Sequence, residues 1–511
     1  MTSANRWTLV ATILASSMTF IDATVVNVAL PALQADLHAT ITDVQWVIEA
    51  YALFLGALIL VGGSMGDQFG RKRVFLLGVA FFAAASVMCG FAASSRVLII
   101  GRALQGVGAA FLAPGSLAII SATFDDSERG AAIGTWSGFS AITTAAGPVI
   151  GGWMIDHISW RAVFFMNVPL AIVVVLLSLR FMDESRDASR TAATDWTGAV
   201  LSVIGLGGIV FGLLEWTPLG SGHPLVVGSL VLGALSLPCL LLVEHRAANA
   251  MMPLYLFKSR PFLFSNILTL LLYAALTVIF FLVPLNLIQV QHYSATKAGA
   301  ALLPFPVIMF VLSRWSGGLV ARVGSRLPLT VGPLIAALGF ALYARPGVGG
   351  SYWTTFFPAV TILGIGMAIT VAPLTTTVMD AVDRSHAGVA SGINNAVARV
   401  AGLLAIAVFG VVMARTFATR VAPRLDRVGL APEVRAATDR QLVKMTGAEL
   451  DSVVALQPSQ RAAVREAIDG AFVSTFRLLM LMAAALALLS ALAGAAIQRR
   501  ESPGEALAKE N

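Results

Sequence analysis

The chain has 511 residues, of which 57% are hydrophobic and only 12% charged, with a formal net charge of +7 and a mean hydropathy of +0.83. A soluble domain carries about a quarter charged residues, so this composition excludes a soluble protein and defines a polytopic membrane protein. The surplus positive charge lies in connections between apolar runs, which removes nucleic acid as a partner. Cys89 and Cys239 both fall inside apolar runs, which excludes a disulfide framework.

A membrane-crossing helix needs about 20 apolar residues. Walking the chain on that rule gives fourteen expected spans, at 7–30, 46–66, 73–93, 97–120, 131–154, 161–181, 196–215, 224–243, 262–288, 298–321, 327–344, 354–378, 387–413 and 471–497. The first run is too long for a signal-peptide core and lacks a small-residue cleavage site, so it reads as a retained span. One set of alternating connections holds Arg71, Lys72, Arg73, Arg129, Arg186, Arg190, Arg246, Lys258, Arg260, Arg322, Arg326 and Arg384. The opposite short connections hold only Arg96, Arg161, Lys297 and Arg345. The positive-inside rule therefore puts the rich set and both termini in the cytoplasm, and Arg499–Arg500 after the last span agree. Between Arg415 and Gly470 the chain is too polar to stay in the bilayer, and an extracytoplasmic loop is expected there. It contains helical-looking stretches such as "PSQRAAVREAIDGAF" and reads as an inter-helix insertion or as a substrate-handling or partner-binding element.

An internal echo organises these spans. "GSMGDQFGRKR" (63–73) follows the second span and "GGLVARVGSR" (317–326) the tenth, while "GVGAAFLAP" (106–114) recurs loosely as "GIGMAITVAP" (364–373). Two six-span copies with two spans between them account for fourteen, a parallel repeat of the kind found in secondary transporters. The expected units are 1–182, 195–244 and 261–511, the last carrying the loop at about 415–470.

No GxxxxGK[ST] phosphate cradle, HExxH or GxSxG is present. ATP-driven transport and the common hydrolase chemistries are disfavoured, and an ion gradient remains as the energy source, which requires a titrating group. Asp22 is the leading candidate, because a carboxylate in an apolar span costs about 2.5–3.5 kcal/mol on insertion scales and is retained for a reason. By helical rise Asp22 lies roughly 13 Å, and Arg102 of the fourth span roughly 8 Å, below the same surface. The two are within reach if their spans share a cavity, either as a proton switch or as a static ion pair. Glu49, about one turn into the second span, is a second titrating group, a cation-attracting site or a side chain snorkelling to the outer interface near Trp46. Asp67, Gly70, Arg71 and Lys72 sit in a connection where a carboxylate beside arginines suits a breakable latch. "TTAAGPVIGG" (143–152) in the fifth span supplies a small-residue face for close helix contact.

"DATVVNVALP", "GSMGDQFGRKR", "RALQGVGAAF", "GPVIGG" and "WRAVFFMNVP", taken in order with "DWTG" and "SGINNAVARVAG", resemble the signature set of the major facilitator superfamily. In particular they resemble its fourteen-span drug:proton antiporter branch, of the EmrB/QacA type. The resemblance implies an all-α major facilitator fold of two six-helix bundles plus two extra helices. It implies a coupling proton on Asp22 assisted by Arg102, and a conformational motif at Asp67, Gly70 and Arg71. Gly147, Pro148, Gly151 and Gly152 match the family's antiporter motif, with Thr143 in place of its leading glycine. Ala321 replaces the second-half counterpart of Asp67, and Glu49 stands where many relatives carry a small or hydroxyl residue.

The resulting expectation is a non-enzymatic, proton-coupled exporter of lipophilic small molecules in the bacterial cytoplasmic membrane. It needs no cofactor beyond the proton gradient and acts as a monomer, with substrate, protons and lipid as its partners. Spans nine to fourteen carry no acid in their apolar interiors, which suits neutral, zwitterionic or monocationic cargo. Helix position alone nominates Asn27, Asn266, Tyr273, Asn286, Gln289 and Thr370 for substrate contact. A lipid or envelope-glycolipid exporter, a nutrient symporter and a non-transporting sensor are the competing readings.

Overall fold

The computed structural model describes residues 3–186, 195–246, 254–382, 387–453 and 456–497. Arg190, Arg384 and Arg499–Arg500, used above for orientation, lie outside the described residues, as do the side chains of Arg129 and Ala321. The first group of helices is α1 (Ser3–Asp36), α2 (Ile41–Phe69), α3 (Arg71–Gly90), α4 (Ser95–Thr123), α5 (Asp126–His157) and α6 (Ala162–Phe181, broken at Met166). Two helices follow, α7 (Trp196–Leu214) and α8 (Pro224–Arg246). The last group is α9 (Arg260–Leu285), α10 (Ala295–Leu312), α11 (Arg326–Leu342), α12 (Tyr352–Asp380), α13 (Ala387–Asp426) and α14 (Pro458–Ala495).

Among the described residues, twelve of these helices are long and apolar enough to cross a membrane. The 32-residue α5 and the 17-residue α11 stand outside that set. Helices are the expected element, since each apolar run has to satisfy its own backbone in lipid. Local sequence sets their ends. Thr40 and Asp43 form a reciprocal capping box that starts α2. Gly70, at φ 110°, ends α2 and turns the chain into α3, a conformation that disfavours any residue with a Cβ.

The first six helices pack on one another, as do the last six, while α7 leans on α2 and α13 and α8 packs on α7. Leu232, Leu235 and Leu242 on α8 are more than half exposed, as a lipid-facing peripheral helix requires.

The polar stretch at 415–470 is mostly helix. Helix α13 continues to Asp426 and α14 begins at Pro458, leaving only 427–457 as connection, with a short helix at Pro432–Gln441 and 3₁₀ turns at Leu442–Gly447 and Leu450–Ser452. The helical-looking stretches expected in this segment are thus extensions of α13 and α14. Polarity removes a segment from the bilayer core but not from a helix, and stretches such as "PSQRAAVREAIDGAF" keep helical spacing beyond the membrane.

Candidate functional site

The two halves meet most closely at the end opposite Arg71–Lys72–Arg73. There Asp156, in the last turn of α5, accepts the backbone N–H of Ala295 at 2.9 Å and of Thr296 at 2.8 Å, and so caps α10. The α5 glycines allow this approach. A Cβ on Gly152 would stand 2.5 Å from the Ala295 carbonyl oxygen and 2.7 Å from the Thr296 Cα. Gly299 presses equally hard against the Pro148 carbonyl, and Gly147 and Gly151 press against Thr24 and Val25 of α1, within a turn of Asp22. The small-residue face therefore joins α5 to both α1 and α10.

The connection at 427–457 adds a second seal at the same end. Gln34 of α1 donates to the Lys444 carbonyl at 3.0 Å and accepts from Gln289 at 2.8 Å, while Thr446 donates to Gln289 Oε1 at 2.5 Å. Arg465 holds the Thr446 and Ala448 carbonyls at 2.8 and 2.6 Å. Glu449 takes Lys444 Nζ at 2.7 Å and His38 Nδ1 at 2.8 Å. The Lys444 bond foremost, then that of His38, holds the Glu449 carboxyl below the usual glutamate range.

Asp22 of α1 and Arg102, two turns into α4, form a buried ion pair. Arg102 Nη1 lies 2.5 Å from Asp22 Oδ2, and both side chains are 2% exposed or less. Gln105 completes the cluster: its Nε2 donates to Asp22 Oδ1 at 2.9 Å and to Ser86 Oγ at 2.7 Å, and its Oε1 accepts Arg102 Nη1 at 2.7 Å. Arg102 Nε donates to the Val47 carbonyl at 3.0 Å, and the guanidinium lies 4.2 Å over the Tyr51 ring. Such a pair is tolerable only because its lone pairs and protons are satisfied. Removing one partner of a buried pair costs about 3–5 kcal/mol. Gln105, one turn beyond Arg102 in "RALQG", was legible by its i, i+3 spacing but was not singled out.

Beside this cluster lies a cavity of about 190 Å³ between α1, α2, α4, α9 and α13, lined by Asn27, Glu49, Tyr51, Arg102, Thr277 and Arg399 among others. Glu49 is fully buried, and neither carboxylate oxygen has a hydrogen-bond partner. Its carboxylate is enclosed by protein and does not turn outward as a snorkelling side chain would, while Trp46, one turn earlier, donates to Glu215 at 2.9 Å. Arg399 of α13 faces the same space, and among the described residues it makes no hydrogen bond or ion pair. Sequence reasoning passed over it, although an arginine within an otherwise apolar span is the same signal that identified Asp22.

Of the six residues nominated for substrate contact, Asn27 lines the cavity. Asn266 bonds the Phe262 carbonyl and receives Asn394, Asn286 accepts from Gln291, and Thr370 bonds the Gly366 carbonyl. Tyr273 packs against the apolar core, and Gln289 belongs to the seal. None of these five lines the cavity.

At the basic end, Arg71 donates through Nε and Nη2 to Asp67 Oδ1 at 3.0 and 2.9 Å. Lys72 Nζ bonds the Met182 carbonyl at 2.6 Å. Glu184, which the sequence did not flag, accepts the Lys72 and Arg73 N–H groups at 3.0 and 3.3 Å and neutralises the positive N-terminus of α3. A Cβ on Gly70 would stand 2.6 Å from that carboxylate.

Two packed helical groups sharing a largely apolar cavity with a few ionisable side chains, and a buried ion pair at its wall, suit a membrane transporter. The family model of the Major Facilitator Superfamily matches residues 12–406, and the chain belongs to that superfamily, whose members are not enzymes. It is 33% identical over 98% of its length, and 92% of the relative's, to the Tetracenomycin C resistance and export protein of Streptomyces glaucescens. It is 32% identical over 82% of its length, and 78% of the relative's, to the Multidrug resistance protein Stp of Mycobacterium tuberculosis. The crystal structure of a bacterial homologue of the human lysosomal transporter Spinster, inward-facing and unoccupied, has the same fold. Its TM-score is 0.64 at 16% identity, covering 98% of this chain and 100% of that one.

Proposed function

We propose that the chain is a proton-coupled exporter of lipophilic small molecules, working as a drug:proton antiporter by alternating access. The observation that carries this reading is the Asp22–Arg102 pair, fully buried at the wall of the cavity where α1, α2, α4, α9 and α13 meet. Protonation of Asp22 turns the carboxylate into a neutral acid, and Arg102 loses the charge that holds it 2.5 Å away. Because Thr24 and Val25, within a turn of Asp22, press on Gly147 and Gly151 of α5, a shift of α1 is passed to the α5–α10 seal. Release of the proton on the other side restores the pair and resets the seal. The proton gradient then drives export without a cofactor.

The drug-resistance and export names of the relatives support the cargo class. Helices α5 and α11, added to the twelve apolar spans, support the fourteen-span subtype of EmrB/QacA type, with two six-helix units at 1–182 and 261–511 and an extra pair at 195–244. The excess of basic residues beside Asp67 supports a cytoplasmic basic end, with both termini inside the bacterial inner membrane and the α5–α10 seal on the outer face. In that orientation the structure is closed to the outside. The segment at 427–457 is then part of the outer seal.

The test uses everted vesicles from a pump-deficient bacterium expressing the chain, with compounds to which the chain confers resistance. An antiporter's cargo collapses an imposed proton gradient as it accumulates inside the vesicles. Cargo that leaves the gradient untouched refutes the reading, and cargo leaving the vesicles with protons points to a symporter.

A further inference from the structure

The cavity holds two ionisable side chains that make no hydrogen bond or ion pair among the described residues. Glu49 reaches it from the first helical group and Arg399 from the last. Arg102, the third charged group on the wall, is already spent on Asp22, Gln105 and the Val47 carbonyl. A guanidinium in a membrane interior is costly and is found paired with a carboxylate or turned to a polar cavity that serves function. Arg399 has the cavity and, among the described residues, no partner. Glu49 is the one carboxylate on the lining, and no hydrogen bond or ion pair joins it to Arg399 among the described residues; Ala398, Gly402, Leu403 and Ile406 offer no side-chain acceptor, and the Thr277 hydroxyl bonds the Tyr273 carbonyl at 2.9 Å. A planar fork of donors is the side chain best suited to a delocalised anion.

We infer that Arg399 is the anion-recognising side chain of the cavity, and that the cargo is a lipophilic compound bearing an acidic group such as a carboxylate or phenolate. This inference rests on the exporter reading and names the substrate class of its cavity. It departs from the expectation of neutral, zwitterionic or monocationic cargo, which rested on the missing carboxylates of the later spans and not on the arginine present. Glu49 sits across the same space with two unpartnered oxygens, so an amine or hydroxyl donor on the cargo is accommodated opposite its acidic end.

The experiment measures binding at equilibrium with no gradient, which separates it from the exporter reading. Purified protein in detergent is titrated with naphthoate and with the neutral naphthamide, and apparent affinities are read from thermal stabilisation. Wild type should favour the acid by about 10–100-fold, the range of a charge-assisted hydrogen bond. In Arg399→Gln the acid should bind no better than the amide, and unchanged amide affinity certifies a folded cavity. Arg399→Lys should keep part of the preference, and it decides the matter if the glutamine variant does not fold. Glu49→Gln should keep or raise the preference. Equal affinity of wild type for the two probes, no binding of either, or a preference that survives Arg399→Gln overturns the inference. A failure of vesicle flux with the binding preference intact would instead overturn the exporter reading.

Discussion

Gly152→Ala puts one methyl group into the α5–α10 seal. Its Cβ would stand 2.5 Å from the Ala295 carbonyl oxygen and 2.7 Å from the Ala295 carbonyl carbon and the Thr296 Cα. All three are backbone atoms and cannot swing aside. Reaching the 3.4 Å at which ordinary contact begins requires the helices to part by about 0.7–0.9 Å. That displacement stretches the Asp156 bonds to the Ala295 and Thr296 N–H groups, now 2.9 and 2.8 Å, beyond hydrogen-bond range. Overpacking of this kind costs about 1–3 kcal/mol, and only the closed state bears it. The equilibrium should therefore shift about 5–150-fold towards opening at this end. Spin labels at the exposed His157 and Lys297, with Cys89 and Cys239 replaced by alanine, report the separation as a distance distribution. The variant should populate a longer distance. Gly228→Ala, where nothing lies within 4 Å, should not. A distribution in Gly152→Ala identical to the parent would refute the reasoning.

The second seal gives a parallel expectation. Thr446→Val removes the donor to Gln289 and leaves a half-buried oxygen without that partner at a cost of about 1 kcal/mol, so the same label pair should again lengthen; no change would place the seal's strength elsewhere. Glu449 gives the segment a pH dependence. Its carboxyl is held low by Lys444 and His38, so its contribution is complete above the ordinary glutamate value and fades as pH falls through the lowered one. Hydrogen-exchange protection of 442–453, corrected for intrinsic rates, should hold at neutral pH and drop below about pH 4. Glu449→Gln should abolish that pH dependence, and a drop that persists in this variant would count against the assignment. Glu184→Gln weakens the cap on α3 by about 1 kcal/mol, so the amides of Lys72 and Arg73 should exchange about fivefold faster; unchanged exchange would dismiss the cap.

The sequence carried the helices because apolar runs of span length admit only one backbone solution in lipid. It carried the Asp22–Arg102 site because a charge in such a run is conspicuous, and because helical rise alone sets its depth. Depth is not direction, however. Asn266, Asn286, Gln289 and Thr370 sit at plausible depths but turn to helix interfaces or to the seal, and the sequence holds no record of which face a membrane helix shows its cavity. Arg399 is legible by the same rule as Asp22, a charge in an apolar span, but its depth in α13 does not reveal that it faces the cavity. Gln105 and Glu184 act through partners far along the chain, Asp22 and the α3 N-terminus. Only the folded arrangement brings those groups together. Helical spacing in the polar 415–470 segment was legible as well, and α13 and α14 run on into it beyond the apolar stretch.

The most direct measurement compares wild type with Asp22→Asn in everted vesicles, using a compound to which the chain confers resistance. Uptake is driven by an imposed ΔpH in one arm and measured as gradient-free cargo exchange in the other. The account predicts that the variant still exchanges cargo but no longer accumulates it when ΔpH is applied. Accumulation equal to wild type would place the coupling proton elsewhere and contradict the account at its centre.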